Sequence, residues 1–143
     1  MRLLGIDLGT KTMGLAISDV EQKYISPLKK FDFKNENYSL CVKEIEKIII
    51  QYQNEIEKII LGYPTKMNKE KTEWTYKVIE FKKILQKATH LPVHLQDERM
   101  TTIEANTIMK EELNFKGSMM KKKKDIISAI VILEQYLNSC KKK

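Results

Sequence analysis

Residues 1–19, Met-Arg-Leu-Leu-Gly-Ile-Asp-Leu-Gly-Thr-Lys-Thr-Met-Gly-Leu-Ala-Ile-Ser-Asp, hold two short apolar runs around a turn-rich segment. The runs, Leu3 to Ile6 and Leu15 to Ile17, flank Gly9, Thr10, Lys11 and Gly14. Apolar runs of this length bounded by glycine and small polar residues read as the two strands of a hairpin. A tight turn joins antiparallel strands only, so the sheet must begin antiparallel. Asp7 closes the first run, which sets its carboxylate at a strand end where a rigid sheet can aim it. A carboxylate there is costly to bury unless a cation, a metal or a hydrogen-bond donor meets it. Gly9 suits a backbone that takes positive φ or approaches a ligand closely. Taken alone, the pattern is better read as an aspartate closing a turn.

The downstream chain decides what the hairpin joins. Tyr24 to Phe33 suits a third strand through Ile25, Leu28, Phe31 and Phe33, and Pro27 argues for an edge position. Lys34 to Ser39 is polar and reads as a loop. Leu40, Ile45, Ile48, Ile49 and Tyr52 then recur at helical spacing, predicting a helix near 39–53 with Ser39 as its cap. Ile56 to Leu61 reads as a buried strand ending in a turn at Gly62-Tyr63-Pro64, with an exposed loop over 65–72. Trp74, Val78, Phe81 and Leu85 share a face of a second helix that runs to about Lys87. His90-Leu91-Pro92 breaks it, and Val93 to Leu95 start another strand running into Gln96-Asp97-Glu98-Arg99. Thr101 or Thr102 can cap a third helix carrying Ile103, Ala105, Ile108 and Met109. Asn114 to Ser118 reads as a loop. From Asp125, the positions Ile126, Ala129, Ile130, Leu133 and Leu137 make a last amphipathic helix. An antiparallel start followed by βα crossovers specifies an α/β fold, a mixed sheet with helices on its faces. With 143 residues and neither repeat nor linker, one domain over 1–143 is expected.

Several function classes fall away. Cys41 and Cys140 are far apart, with neither a disulfide framework nor a close Cys/His metal pattern, which fits a reducing, cytoplasmic setting. No apolar run approaches the roughly 20 residues that span a bilayer. The first residues hold one Arg and then Asp7, unlike a signal peptide. No membrane partner is therefore expected. Net charge is +7, from 26 Lys and Arg against 19 Asp and Glu, which permits a polyanionic partner such as nucleic acid. The excess gathers in Lys121 to Lys124 and Lys141 to Lys143. The terminal run reads as a solvated tail. The internal run directly precedes Asp125, and reads either as a solvated helix entrance or as charge beside an acid.

Three acids stand where elements begin or end: Asp7 closing the first strand, Glu98 closing the last, and Asp125 opening the last helix. Carboxyl ends of neighbouring parallel strands gather at one sheet edge, so Asp7 and Glu98 can lie side by side. Carboxylates packed together repel, and a divalent cation or a raised pKa relieves them. Oxygen ligands favour Mg²⁺ or Mn²⁺, and the chemistry implied is metal-assisted attack of water on a phosphodiester. Each acid also has a structural reading. Asp125 at a helix N-terminus is favoured by the dipole. Glu98 can pair with Arg99 or a lysine. Asp97 is equally acidic, and strand alternation alone separates it from Glu98.

These residues also carry a resemblance. Gly5-Ile-Asp7-Leu-Gly9-Thr-Lys11 with Met13-Gly14-Leu-Ala-Ile-Ser18-Asp19, then Leu61-Gly62-Tyr-Pro64, then Asp97-Glu98-Arg99-Met-Thr101-Thr102-Ile-Glu-Ala105, then Asp125 before Ala129-Ile-Val-Ile-Leu133, resemble the YqgF family. These are Holliday-junction-resolvase-like proteins, also described as pre-16S ribosomal RNA nucleases, with a ribonuclease H-like fold. Four motifs stand in order over almost the whole chain. The resemblance implies a five-stranded mixed sheet, its first three strands antiparallel, flanked by helices. It implies that Asp7, Glu98 and Asp125 form the divalent-metal triad of a nuclease, holding Mg²⁺ or Mn²⁺. Lys11, Arg99 and Thr101 would contact phosphate or hold the acids, and Lys124 would add charge beside them. The activity implied is phosphodiester hydrolysis in pre-16S rRNA maturation, a step of ribosome biogenesis, by a monomer or homodimer. The alternatives are resolution of four-way DNA junctions, which requires paired sites on a symmetric dimer, and a non-catalytic nucleic-acid-binding module.

Gly-Ile-Asp-Leu-Gly-Thr is also the phosphate-binding hairpin of actin-like ATPases and sugar kinases. Those proteins close a second, similar half over the nucleotide, and this chain holds no second such hairpin. Two departures from the YqgF pattern stand out. The family usually has Lys-Arg where this chain has Lys11-Thr12, so one positive charge is missing from the first turn. It also usually has a glycine in the loop where Asn68-Lys69-Glu70 stands here.

Overall fold

Leu4, Ile6 and Leu8 alternate along the first strand with Leu3, Gly5 and Asp7, so two different layers must cover its two faces. The computed structural model describes residues 1–34, 36–64, 73–98 and 117–141, and of residues 64, 98, 117–125 and 141 it describes the backbone alone. Its strands are β1 (Arg2–Leu8), β2 (Thr12–Ser18), β3 (Ile25–Asp32), β4 (Ile56–Pro64) and β5 (Val93–Glu98). They form one sheet in the order β3-β2-β1-β4-β5. The β1–β2 and β2–β3 pairs are antiparallel, whereas β1–β4 and β4–β5 are parallel. This is the mixed sheet expected, and β3 with Pro27 and two lysines takes an edge, where a missing N–H and charge discourage further pairing.

Helices α1 (Tyr38–Gln51) and α2 (Glu73–Thr89) cover one face. Leu4, Ile6 and Leu15 of the sheet meet Ile45 of α1 and Phe81 and Leu85 of α2 there, all fully buried. The Phe81 ring stands edge-on to Tyr38 with centroids 6.0 Å apart. Helix α3 (Gly117–Lys141) covers the other face, over Leu3, Ala16 and Ile60. Its residues Ile126 to Leu133 are buried right around the helix, so this stretch is not the amphipathic helix expected. Ile-Ile-Ser-Ala-Ile-Val-Ile-Leu has no polar stripe, and a helix apolar on all sides belongs inside a protein.

Element ends account for the other differences. Gly62-Tyr63-Pro64 continues β4 instead of turning, because Tyr63 and Pro64 still pair with Asp97 and Glu98. The last helix starts at Gly117, so residues 117 and 118 are helical and not loop. The Met and Lys residues that follow are strong helix formers and carry the helix back past Asp125. Asn37, not Ser39, is the N-cap of α1, and the Ser39 hydroxyl donates to Asn37 Oδ1 at 2.6 Å from inside the helix. The loop expected over 65–72 and the helix expected after Thr101 lie outside the described residues.

Candidate functional site

Asp7 faces α3. Leu3, two steps earlier on the same strand face, belongs to the core under that helix, and a Cβ added to Gly5 would lie 2.5 Å from Leu133 Cγ. The strand pairing then names the neighbours of Asp7. Gly14 of β2 pairs with it, and Lys30 of β3 pairs with Gly14. On the other side β1 and β4 pair as Gly5 with Ile60 and Ile6 with Leu61, and one further rung sets Gly62 beside Asp7. Gly62 in turn pairs with Gln96 of β5. The half-buried Asp7 thus has a glycine on each adjacent strand. No side chain of either adjacent strand stands beside it within the sheet, and both glycines are buried.

Glu98 is the last residue of β5, paired with Pro64 and two residues past Gln96. Position 98 therefore falls on the same strand face as position 96, the face of Asp7. Asp97 pairs with Tyr63, which packs against the α1–α2 core, so Asp97 belongs to the opposite face. Positions 97 and 98 therefore fall on opposite strand faces.

Helix α3 runs antiparallel to β1. Lys58 Nζ donates to Tyr136 Oη at 2.8 Å at the level of Leu3, whereas Leu133 and Ala129 lie over Gly5. Four residues back from Ala129 is about 6 Å along a helix. Two residues on from Gly5 is about 7 Å along a strand. Position 125 therefore comes level with Asp7. It stands well inside a helix that begins at Gly117, so the expected dipole account of Asp125 fails: that effect is spent within the first turn.

Lys11 is exposed at the tip of the β1–β2 hairpin, and its carbonyl accepts the Phe33 N–H at 2.9 Å. The Gly9 N–H donates to the Thr12 carbonyl at 2.8 Å, and a Cβ on Gly9 would meet that oxygen at 3.0 Å. No described glycine has positive φ, so close approach inside the turn is what makes a side chain tight here. Lys124 neighbours Asp125 on the α3 backbone, while Arg99 and Thr101 lie outside the described residues. Among the described residues no three His, Cys, Asp or Glu side chains gather as a metal cluster, and the side chains of Glu98 and Asp125 are not among those described. Asp19, also in the first motif, serves the β2–β3 turn. Its Oδ1 accepts the Lys23 and Tyr24 N–H groups at 2.7 and 2.9 Å, and the Tyr24 bond chiefly holds its carboxyl below the usual value.

The glycines flanking Asp7 were visible as motif residues, but their placement on either side of one carboxylate follows only from the register. Lys30 carried no signal at all, since a bulge between Leu15 and Ala16 shifts the β2–β3 register. No helix among the described residues is long and apolar enough to cross a membrane.

Known proteins share this chain's features. A family model described as "RuvX: Holliday junction resolvase" matches residues 1–139. A Mycoplasma mobile protein named "Putative pre-16S rRNA nuclease" is 42% identical over 139 residues, covering 97% of this chain and 93% of its own. The fowlpox virus Holliday junction resolvase superposes with a TM-score of 0.63 at 16% identity, covering 97% of this chain and 99% of that one. Thermus thermophilus RuvC, in complex with a Holliday junction substrate, gives 0.61 at 12% identity, covering 97% and 96%. At these identities the two structures share the fold, the ribonuclease H-like arrangement of a mixed sheet between helices.

Proposed function

The chain belongs to the RuvX family, described as Holliday junction resolvase, and from that membership we propose that it is a divalent-metal-dependent nuclease acting on pre-16S rRNA. One observation carries the reading: the half-buried Asp7, with Gly14 and Gly62 on its flanks, at the level that Asp125 reaches and on the face that Glu98 shares. The RNA assignment is supported by the name of the relative that is 42% identical along 97% of this chain. A precursor-rRNA substrate sets the protein in ribosome biogenesis and in the cytoplasm, as one nuclease domain over residues 1–143.

The residues fit a hard cation. The donors are carboxylate oxygens, the ligand type that Mg²⁺ and Mn²⁺ prefer. Asp7, Glu98 and Asp125 would hold Mg²⁺ or Mn²⁺, which when bound supplies charge neutralisation and Lewis acidity at the scissile phosphate. The protein's own part is placement. β1 is the central strand, held by β2 and β4, so Asp7 is fixed before any substrate arrives. Lys11 offers an exposed ammonium at the hairpin tip, where it would contact a substrate phosphate. Arg99, Thr101 and Lys124 are assigned the same duty around the acids.

The test is cleavage of labelled pre-rRNA fragments, single-stranded RNA and four-way DNA junctions with Mn²⁺, Mg²⁺ or EDTA, beside Asp7→Asn. That substitution keeps the shape and removes the charge. The expected result is metal-dependent cleavage of the precursor RNA, lost by about 100-fold or more in Asp7→Asn. Cleavage that survives EDTA would sink the metal dependence, and an Asp7→Asn protein of full activity would sink the site. The family description favours a second reading, junction resolution. It requires a symmetric dimer with two sites, so paired cuts in the junction by a dimer, with the RNA untouched, would establish it instead.

A further inference from the structure

Where the last turns of α3 reach β4 and β5, Lys58, Tyr136 and His94 gather at the surface. Lys58 Nζ donates to Tyr136 Oη at 2.8 Å and lies 5.4 Å from the centre of that ring. The His94 ring stands 5.0 Å from the Tyr136 ring. Among the described residues no carboxylate pairs with Lys58, and the carboxylate of its neighbour Glu57 accepts from the Gln22 amide. The bond to Tyr136 chiefly raises the Lys58 pKa, so the group is an ammonium at neutral pH. An ammonium has three donors, and Tyr136 takes one of them while keeping its own O–H to give. The cluster is not sealed under the helix: His94 is exposed, and Lys58, Tyr136 and Gln96 are half-buried. Ala129 and Leu133 of α3 lie over Gly5 of β1, whereas Tyr136 has reached Lys58 of β4. Running back towards Asp125, the helix therefore moves away from β5. His94 pairs with Ile60 and shares its strand face with Gln96 and position 98. Positions 94 and 98 are about 13 Å apart along the strand. That is about four nucleotides at 3.4 Å per phosphate of one strand.

We propose that Lys58 and Tyr136 form a second phosphate-binding site, which takes a backbone phosphate of the substrate about four nucleotides from the bond cleaved at Asp7. The inference rests on the nuclease reading above, which it deepens. Lys58 supplies the charge, Tyr136 a neutral donor 2.8 Å from it, and the outer strand β5 the direction in which the substrate runs. A phosphate contact carries no base information. It sets a length instead: a strand that ends short of the cluster loses the contact.

Binding is measured by fluorescence anisotropy of a labelled pre-rRNA fragment over a range of salt, in EDTA so that no cleavage intervenes. Lys58→Gln should weaken binding about five- to tenfold at low salt, and lower the slope of log K against log salt by about 0.7, one phosphate contact on a single strand. Lys58→Arg should restore both. Tyr136→Phe should weaken binding about threefold and keep the slope, since it removes a donor and no charge. Lys47→Gln, on the exposed side of α1 beyond the opposite sheet face, is the control and should leave affinity and slope unchanged. Fragments shortened step by step from either end give the length. From one end, once fewer than about four nucleotides remain beyond the cut, wild type and Lys58→Gln should bind alike. With active protein, Lys58→Gln should raise KM more than it lowers kcat. An unchanged slope in Lys58→Gln, an equal loss in Lys47→Gln, or a Lys58→Gln defect indifferent to fragment length overturns the second site even where Asp7→Asn abolishes cleavage. A wild type that binds the RNA and cleaves nothing overturns the nuclease reading, and the Lys58→Gln slope still decides the phosphate contact.

Discussion

Two thiols in this chain sit in opposite surroundings. Cys41 is fully buried on the inner side of α1, and desolvation pushes its thiol up from 9.0 to about 12. Cys140 is exposed near the end of α3. The thiolate is the reactive form, so in native protein at pH 8 a thiol reagent should modify one cysteine quickly and the second only after denaturant is added. Cys140→Ser protein should then stay silent until it unfolds, and prompt labelling of that variant would show Cys41 to be accessible. The same burial has a pH consequence. The folded state keeps the proton over a range where the unfolded chain loses it, so the contribution is complete below pH 9 and declines as pH rises towards 12. The stability gap between wild type and Cys41→Ala, read from urea midpoints, should accordingly narrow between pH 8 and pH 10.5.

Between elements, the contact that matters most to the site is α3 against β1. A methyl group on Gly5 would collide with Leu133 Cγ at 2.5 Å and press the Ala129 carbonyl at 3.0 Å. Gly5→Ala should therefore cost about 1–3 kcal/mol by overpacking. Leu133→Ala should cost about 2–5 kcal/mol by leaving a cavity. The double variant should lose less than the two together, because Leu133→Ala clears the atom that Gly5→Ala would strike. Urea denaturation of the four proteins measures the coupling, and strict additivity would mean the helix does not seat on Gly5. Legibility at this scale divides by physics. The hairpin, α1 and α2 announce themselves through local apolar periods. The end of β4 and the start of α3 do not, because pairing with β5 carries Gly62 to Pro64 onward and helix propensity carries α3 back to Gly117. The β2–β3 bulge is a third such case: it decides which face Lys30 takes and leaves no mark in the alternation.

On the scale of the whole molecule, the site is a product of layering. Two helices take one face of the sheet and α3 the other, and the acids proposed for the site come from positions 7, 98 and 125, on three separate elements. The motifs named those acids, but the preference for Glu98 over Asp97 needs the alternation of β5 against β4, and the level of Asp125 needs the direction of α3. Carboxylates held together by the fold repel one another, so the proposed site should cost stability until a cation arrives. A cation that binds only the folded chain stabilises it by about 2.7 kcal/mol at 100 times its Kd. For a domain of this size that is a rise in Tm of roughly 5–10 °C. Mn²⁺ should therefore raise the Tm of the wild type, whereas Asp7→Asn should start from a higher Tm in EDTA and gain little. ATP should raise neither. A nucleotide-binding half of the sugar-kinase type would show the reverse pattern, with a shift from ATP that Asp7→Asn abolishes and Mn²⁺ alone does not produce. Equal Mn²⁺ shifts in both proteins would place the cation away from Asp7 and remove the metal from the proposed mechanism.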